Sequence, residues 1–515
     1  MNTHAKVAIV LVALGVFGIA GYKFGWPYVQ EQIDLQTSDA RDIKAKLVVG
    51  VDNWIGYFPL CSGELRKRMR AKGYSLQCDD DKADYPKRMQ RLKSGELQLA
   101  VATIDSYLLN GADPGFPGTI VAVIDESKGG DAIVAWKDTV ATIEDLKKKP
   151  NVRIAFTPGS PSEHMIRATS VHFDVTGLRG RKDWRREANG SPDALEKLLS
   201  KQADVAVVWE PDVTRALSQP GVVKILGSED VDKLIVDVLL VGRKFSQDNP
   251  DAVAALLREY FAVIRFYRED PARLEQDYVE VSKLPVDKAK ASLKGVAWVS
   301  LSDNFQQWMG GGGGAEGLVD SIQSTAKILV DNGDFKANPI PDKDPYRIVN
   351  RQFLSQAYLQ ATTGATPVAA NAPAAQSLGR TFKPLEAKAW GAMREVGTLK
   401  TLPVVFQSGT AELSIEGKQE LDAAMENLRH YPNFRVIVKG HTGLRGTPEE
   451  NLKLSQERAE SVGRYLQVTY GVDPNRLLIV GYGSMKPLPQ LPDESERAYG
   501  YRLPRVELSL VSEVL

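Results

Sequence analysis

Short β-rich runs alternating with helical stretches constrain this chain more than any other feature. Leu47–Val51, Tyr74–Gln77 and Leu97–Thr103 read as strands, with Gly63–Ala71 and Asp84–Ser94 between them as helices. The alternation resumes with strands Ile133–Trp136 and Val152–Phe156, helices Ser162–His172 and Asp193–Lys201, and strand Val205–Trp209. This βαβ order predicts mostly parallel sheets flanked by helices, an α/β fold. Residues 248–268 form a long amphipathic helix, with Val253, Leu256, Leu257, Tyr260 and Ile264 near helical spacing. At roughly 100–200 residues per domain, a chain of 515 residues holds about three domains, and its 43% hydrophobic content suffices for ordinary globular cores.

A composition shift divides the chain. Ala361–Gly379 is rich in Ala, Thr and Pro and carries no charge, which marks 361–382 as an interdomain linker. A smaller α/β unit follows over 383–515. Its predicted order is strand Pro403–Phe406, helix Ile415–Leu428, strand Arg435–Val438, helix Pro448–Val468, strand Leu477–Val480 and strand Arg505–Val511. The run of five glycines at Gly310–Gly314 lacks the Lys-Ser/Thr of a phosphate-binding loop and reads as a mobile surface loop.

Between Lys6 and Lys23 lie sixteen uncharged residues, Val7–Tyr22. At ~1.5 Å per residue they fall a little short of a ~30 Å hydrocarbon core. Lys23 can snorkel, and Phe24, Trp26 and Tyr28 follow as an aromatic belt, which brings the stretch to about twenty residues, enough for one transmembrane helix. Residues 1–26 are thus expected to be a membrane anchor and 27–43 a polar stalk. Lys6 marks the cytoplasmic side, so the expected location is the inner membrane, single-pass, with the C-terminal bulk in the periplasm. Gly18-Ile19-Ala20 also fits a cleavage site, and a signal peptide that leaves a periplasmic protein is the competing reading.

Charge and cysteine content exclude several classes. With 65 basic and 65 acidic side chains, the chain lacks the excess of a nucleic-acid binder. Two cysteines rule out a disulfide-stapled scaffold and any cysteine-rich metal module, and the five histidines are scattered, so no metal or cofactor is expected. Cys61 opens the first helix and Cys78 ends the second strand, positions at one edge of a βαβ sheet. A Cys61–Cys78 bridge is expected in an oxidising compartment.

Ligands of parallel sheets gather on loops after the strands' carboxyl ends. Here those loops run 52–57, 103–106, 157–163 and 209–211, and they mix aromatic walls with hydroxyls and carboxylates. Ser160 and Ser162 at a helix start suit an anionic oxygen, although Ser-Pro-Ser-Glu is equally a helix cap. Three phrases, KLVVGVDNWIGYFPL, TIEDLKKKPNVRIAFTPGSPSEHMI and DALEKLLSKQADVAVVWEPDV, resemble the periplasmic solute-binding proteins of ABC importers, in particular the group for nitrate, taurine, aliphatic sulfonates and thiamine precursors. The resemblance implies a bilobal fold over 44–360, with the second lobe at about 135–235 and a ligand held at the hinge. By position it implies ligand contacts from Trp54, Asp105, Ser127, Asp131, Ser160, Ser162, Trp209 and Glu210.

The run VKGHTGLRGTPEENLKLSQERAESVGRYL, with VDPNRLLIVGYGSMKPL and RVELSL after it, looks like an OmpA/MotB-type peptidoglycan-binding domain, a small α/β sandwich. That resemblance implies a wall-binding set of Thr442, Gly443, Asn451, Arg458 and Arg505. The family's aspartate, which grips the ammonium of diaminopimelate, is here Gly443; its arginine is present as Arg458. Losing the carboxylate removes a charge-assisted contact worth about 1.5–3 kcal/mol. The usual Asn-Arg-Arg-Val near the last strand is also altered, to Leu503-Pro504-Arg505-Val506.

These readings predict a tethered solute-binding protein that captures a small, partly anionic molecule for ABC-type transport while its C-terminal domain contacts peptidoglycan. An ABC permease or another membrane protein is the expected partner. The alternative is a ligand sensor or scaffold linking membrane to wall without transport. Catalysis is not expected, because Ser162 and His164 lack a nucleophile elbow.

Overall fold

The computed structural model describes residues 43–149, 151–179, 183–362, 381–401, 403–407 and 410–512. The apolar run Val7–Tyr22, the stalk up to residue 42 and most of the 361–382 linker lie outside the described residues. Among the described residues no helix is long and apolar enough to cross a membrane.

The described chain builds three sheets. The first holds β1 (Ala45–Val51), β2 (Tyr74–Asp80), β3 (Leu99–Thr103), β4 (Gly118–Ser127), β10 (Val236–Gly242) and β11 (Val296–Trp298), in the order β11-β4-β10-β3-β1-β2. The second holds β5 (Asp131–Trp136), β6 (Ile154–Phe156), β7 (Arg185–Glu187), β8 (Val205–Trp209) and β9 (Val222–Gly227), in the order β7-β6-β8-β5-β9. β1 runs parallel to β2 and β3, and β6 parallel to β7 and β8, as the βαβ alternation predicts. β4, β5, β9, β10 and β11 add antiparallel pairings, so both sheets are mixed.

The antiparallel strands follow from the path of the chain. It leaves the first sheet at Ser127, enters the second at Asp131, and returns from Gly227 to Val236. β10 therefore inserts in reverse between β3 and β4, completing a first lobe with two crossing segments to the second. β4 and β10 are buried along their whole length, and such apolar runs have no period that separates strand from helix.

Local chemistry sets the helix starts. Asp84 accepts from the Lys87 N–H and caps the helix Tyr85–Ser94, which ends at Gly95 with φ 79°. Ser62 does the same for Gly63–Ala71 through the Leu65 N–H. Cys61 and Cys78 are joined by a disulfide, their Cα atoms 5.9 Å apart, which pins that helix to β2. The glycine run lies at the surface, with Gly312, Gly313 and Gly314 exposed. Gly310, Gly312 and Gly313 take positive φ, and a Cβ on Gly311 or Gly314 would collide with the Phe305 ring or the Gln306 carbonyl.

The third sheet has β12 (Arg394–Thr398), β13 (Arg435–His441), β14 (Leu477–Gly481) and β15 (Arg505–Ser512), in the order β12-β15-β13-β14. Its first strand is β12, not the predicted Pro403–Phe406. That segment makes one isolated bridge, Phe406 to Leu413, and its leading proline has no N–H to offer a ladder. The helices Ile415–Arg429 and Pro448–Tyr470 cover one face, the second opened by a Thr447/Glu450 capping box and closed at Gly471 with φ 65°.

The hydrophobic cores do not follow the sheets one to one. The first lobe has its own core, whereas the second lobe and the C-terminal unit share a continuous apolar cluster that includes Ile143, Phe173, Val231, Leu428, Tyr431 and Phe434. Polar contacts frame this seam. His172 bonds the Tyr431 hydroxyl through Nδ1 at 2.8 Å and stacks on the His430 ring at 5.2 Å. The Asp232 N–H donates to the His430 carbonyl at 2.6 Å, the Lys400 N–H to the His172 carbonyl at 2.6 Å, and the Thr398 N–H to Glu144 at 2.9 Å. Gly397 lies so close to Phe173 that a Cβ would approach the ring to 2.9 Å.

Candidate functional site

The two lobes meet face to face over the loops that follow β1, β3, β6 and β8. Trp54, Asp105, Ser127, Asp131, Ser160, Ser162, Trp209 and Glu210 are all buried, Trp54 the most accessible at 8%. Direct bonds cross between the lobes. The Trp209 Nε1–H donates to Asn53 Oδ1 at 3.2 Å, and Ser106 and Asn110 both donate to the Gly159 carbonyl, at 2.9 and 3.1 Å.

Each side chain is held by its own element. Asp52, at the end of β1, accepts from the Trp54 N–H at 3.0 Å and so shapes the turn that places the indole. The Trp54 Nε1–H reaches Asp125 at 3.2 Å, and the ring lies over Gly130, where a Cβ would fall 2.3 Å from Cη2. At the crossings, Ser127 donates to Asp131 at 2.6 Å, and the Ser228 hydroxyl receives the N–H groups of Gly129 and Asp131 at 2.8 and 3.1 Å. Ser228 thereby ties the two crossing segments together at the hinge.

Several predicted ligand groups are engaged locally. Ser160 accepts from the Ser162 N–H, donates to the Thr157 carbonyl at 2.6 Å and lies 2.8 Å from the Ser162 hydroxyl, while Ser162 accepts from the Thr157 N–H at 3.0 Å. Both hydroxyls stitch the cap of the helix Pro161–His172, so the capping reading holds at this position. Glu210 accepts the Thr214 hydroxyl at 2.7 Å and its N–H at 3.1 Å, closing the start of the helix Asp212–Leu217. His164 is fully buried with no hydrogen-bond partner at either nitrogen, so Ser162 and His164 form no nucleophile–base pair.

The remaining carboxylates behave differently. Asp105 has no hydrogen-bond partner at either oxygen and is 2% exposed; Asp131 leaves Oδ1 unpartnered at 1% exposure. Burial pushes the Asp105 carboxyl up to about 6, opposed by the Thr103 hydroxyl, the Arg167 charge and the nearby N–H groups of Asp105 and Ser106. It pushes Asp131 up to about 7, opposed by the Ser127 hydrogen bond and reinforced by Asp105, Glu210 and Asp52. Behind them Asp125 and Asp237 are both raised by burial, and Tyr57 donates to Asp237. Sequence patterns did not single out Asp52, Asp125 or Asp237, nor Arg88, which is fully buried between Asp52 and Asp81. An acidic residue inside an otherwise apolar strand, as in GTIVAVIDES or VDVLLVG, was the available signal.

In the third sheet's unit, Thr442 and Gly443 follow β13, and the Thr442 N–H donates to the Gly483 carbonyl at 3.0 Å. Ser455 accepts from the Gly483 N–H at 2.8 Å, and Asn451 donates to the Arg445 carbonyl at 3.0 Å, which gathers these groups at one end of the sheet. Arg505 pairs in register with His441 and is held by Glu507 at 2.6 Å. Arg458 stands apart, its guanidinium 4.9 Å above the Phe406 ring and its Nε 3.4 Å from the Thr410 carbonyl. Among the described residues it has no carboxylate partner, and partial burial lowers its pKa. A Cβ at Gly443 would meet only the Pro504 ring, at 4.0 Å, so a side chain fits there.

Comparison with solved structures finds the alkanesulfonate-binding protein of Xanthomonas axonopodis pv. citri bound to MOPS, 16% identical, with a TM-score of 0.48 over 61% of this chain and 99% of that one. The periplasmic nitrate-binding protein of Synechocystis PCC 6803 is 15% identical, with a TM-score of 0.48 over 62% of this chain and 89% of that one. At the other end, outer membrane protein A of Bordetella avium is 37% identical over 114 residues, 21% of this chain and 57% of that protein. The peptidoglycan-associated lipoprotein of Pseudomonas putida is 34% identical over 114 residues, 22% of this chain and 68% of that protein. Residues 405–499 match the OmpA family, and through this C-terminal unit the chain belongs to it.

Proposed function

We propose that this is a solute-binding protein that captures a small molecule between its two lobes and contacts peptidoglycan through its OmpA-family domain. In this reading Val7–Tyr22 tethers it to the inner membrane, the bulk of the chain lies in the periplasm, and an ABC permease or another membrane protein receives the solute. The observation that carries the reading is the seam between the lobes, where Trp54, Asp105, Asp131 and Trp209 from separate elements are buried together on either side of a two-segment hinge.

The solute arm is tested on the full chain with a protein-free small-molecule extract of its native host. A component that binds the native state raises Tm in a saturable way. No saturable rise removes the solute-binding reading. The wall arm is tested by co-sedimentation with purified sacculi. Arg458→Ala should release the protein, and Gly443→Asp, which restores the family's carboxylate in open space, should tighten retention about 10-fold or more. Retention that ignores both changes sinks the diaminopimelate grip.

One observation favours the second reading, a ligand sensor or scaffold. The helix Pro161–His172 starts at the lobe seam, where Gly159 is held by Ser106 and Asn110, and ends against Tyr431 and His430 of the OmpA-family domain. At ~1.5 Å per residue it forms a rod of about 18 Å between the two sites. The helix Gly317–Asn332 adds a second link, with Ser324 on His430 at 3.1 Å and the following Asp334 on Arg167 at 2.9 Å. Lobe movement at the cleft and the position of the wall-facing domain therefore share rigid elements.

A further inference from the structure

The charges around the seam do not balance. The nearby cations are paired with carboxylates: Arg88 lies between Asp52 and Asp81, Lys128 between Glu126 and Asp232, and Arg167 between Glu163 and Asp334, although its buried Nη1 has no partner and its charge acts on Asp105. Asp105 and Asp131 remain, from different lobes, with three oxygens that accept no hydrogen bond. Asp125 and Asp237 lie behind them, also buried, and Asp125 Oδ2 has no partner. A buried carboxylate without a compensating charge or donor is among the most costly arrangements in a protein interior, and a bound positive charge relieves it. The serines that suit an anion are by contrast bonded to their own turn.

Resting on the solute-binding reading above, we infer that the cleft takes a small organic cation, with an ammonium or amidinium group held between Asp105 and Asp131 and its carbon frame against Trp54 and Trp209. This replaces the partly anionic solute expected from sequence. Among the described residues no three Asp, Glu, His or Cys side chains are placed to hold a metal ion, whereas aromatic rings beside paired carboxylates suit an organic cation. Nitrate and sulfonates are disfavoured, because an anion placed there meets uncompensated carboxylates in a low dielectric.

The test uses the same full chain and extract. Passing the extract over a cation-exchange resin at pH 7 should remove its power to raise Tm, and an anion-exchange resin should leave it intact. Single probes should follow: 1,4-diaminobutane, choline and agmatine at millimolar concentration against nitrate and ethanesulfonate. Asp131→Asn should weaken the response to the extract about 10-fold or more, through loss of a charge-assisted contact. Asp105→Asn should raise the Tm of the untreated protein, because it removes a buried unpaired charge. Activity that the anion exchanger removes, that neither resin removes, or that only nitrate or ethanesulfonate reproduces overturns the cation while the solute-binding reading stands. A lowered Tm in Asp105→Asn also overturns it, since that carboxylate would then have a structural partner. An extract with no activity at all defeats the solute-binding reading itself, and the cation with it.

Discussion

Arg88→Met will lower the thermal stability of the first lobe on the order of 10 °C, the largest loss expected from a single polar substitution in this chain. Arg88 is fully buried on the helix Tyr85–Ser94 and donates through Nε and Nη2 to Asp81, through Nη2 to Asp52, and through Nη1 to the Val101 carbonyl. Methionine keeps most of the volume and removes the charge. Asp52 and Asp81 are then left facing each other without a cation, which costs about 3–5 kcal/mol.

The loss will depend on pH with a definite sign. Burial already raises the Asp81 carboxyl against the opposing Arg88 hydrogen bond and charge, and losing Arg88 lets it rise further. Such a group is harmless below the unfolded pKa and destabilising as pH climbs through the folded one. The gap between Arg88→Met and the parent should therefore be smallest near pH 4 and widen towards neutrality, as thermal melts followed by circular dichroism across that range will read. Because Asp52 also accepts the Trp54 N–H, the variant should lose its response to the host extract as well. A gap that is constant with pH would mean that Arg88 contributes packing alone.

Tyr431→Ala will separate the second lobe from the OmpA-family domain. The Tyr431 ring is fully buried, packed edge-on against Phe173 at 5.2 Å and against His172 at 5.7 Å, with its hydroxyl on His172 Nδ1. Removing a buried aromatic ring costs about 3–5 kcal/mol, and this ring sits where two bodies are joined. Calorimetry should show the parent's second lobe and C-terminal domain unfolding together, and the variant's in two steps. Tyr431→Phe keeps the ring and gives up only the hydroxyl, so it should lose about 0.5–1.5 kcal/mol and remain cooperative. If the alanine variant still melts in one step, the shared apolar cluster does not couple the domains.

Much of the fold is legible along the chain because it is local. β1, β2, β3 and the helices between them follow from periodicity, and Ser62, Asp84 and Thr447 mark helix starts through one hydrogen bond to a nearby N–H. The strand that fails, Pro403–Phe406, fails for a reason outside its own residues. β15 needs an edge partner, and Arg394–Thr398 can supply a full ladder where a proline-led segment cannot. The insertion of β10 between β3 and β4 is likewise invisible in sequence, since β10 lies more than a hundred residues beyond β4 and joins only after the second lobe is built.

The candidate site divides along the same line. Trp54, Asp105 and Trp209 can be picked out by their places after or at strand ends and Asp131 through the family resemblance, but residue type does not reveal which polar groups are engaged. Ser160, Ser162 and Glu210 have the residue types and loop positions of ligands, yet their hydroxyls and carboxylate are taken up by helix caps a few residues away. Asp105 and Asp131 look no different from them, yet both oxygens of Asp105 and Oδ1 of Asp131 accept no hydrogen bond.

Residue order alone establishes the class of each body: two α/β units, the positions of most helices, and an OmpA-family domain at the C-terminal end. Those properties rest on side-chain periodicity and short-range hydrogen bonds, which any stretch of chain carries with it. That the two lobes enclose an excess of buried carboxylate, and that the C-terminal domain shares a core with the second lobe, emerges only in three dimensions. Both are sums over groups far apart in the chain. Whether a charge is compensated or a face is covered depends on what the fold brings against it.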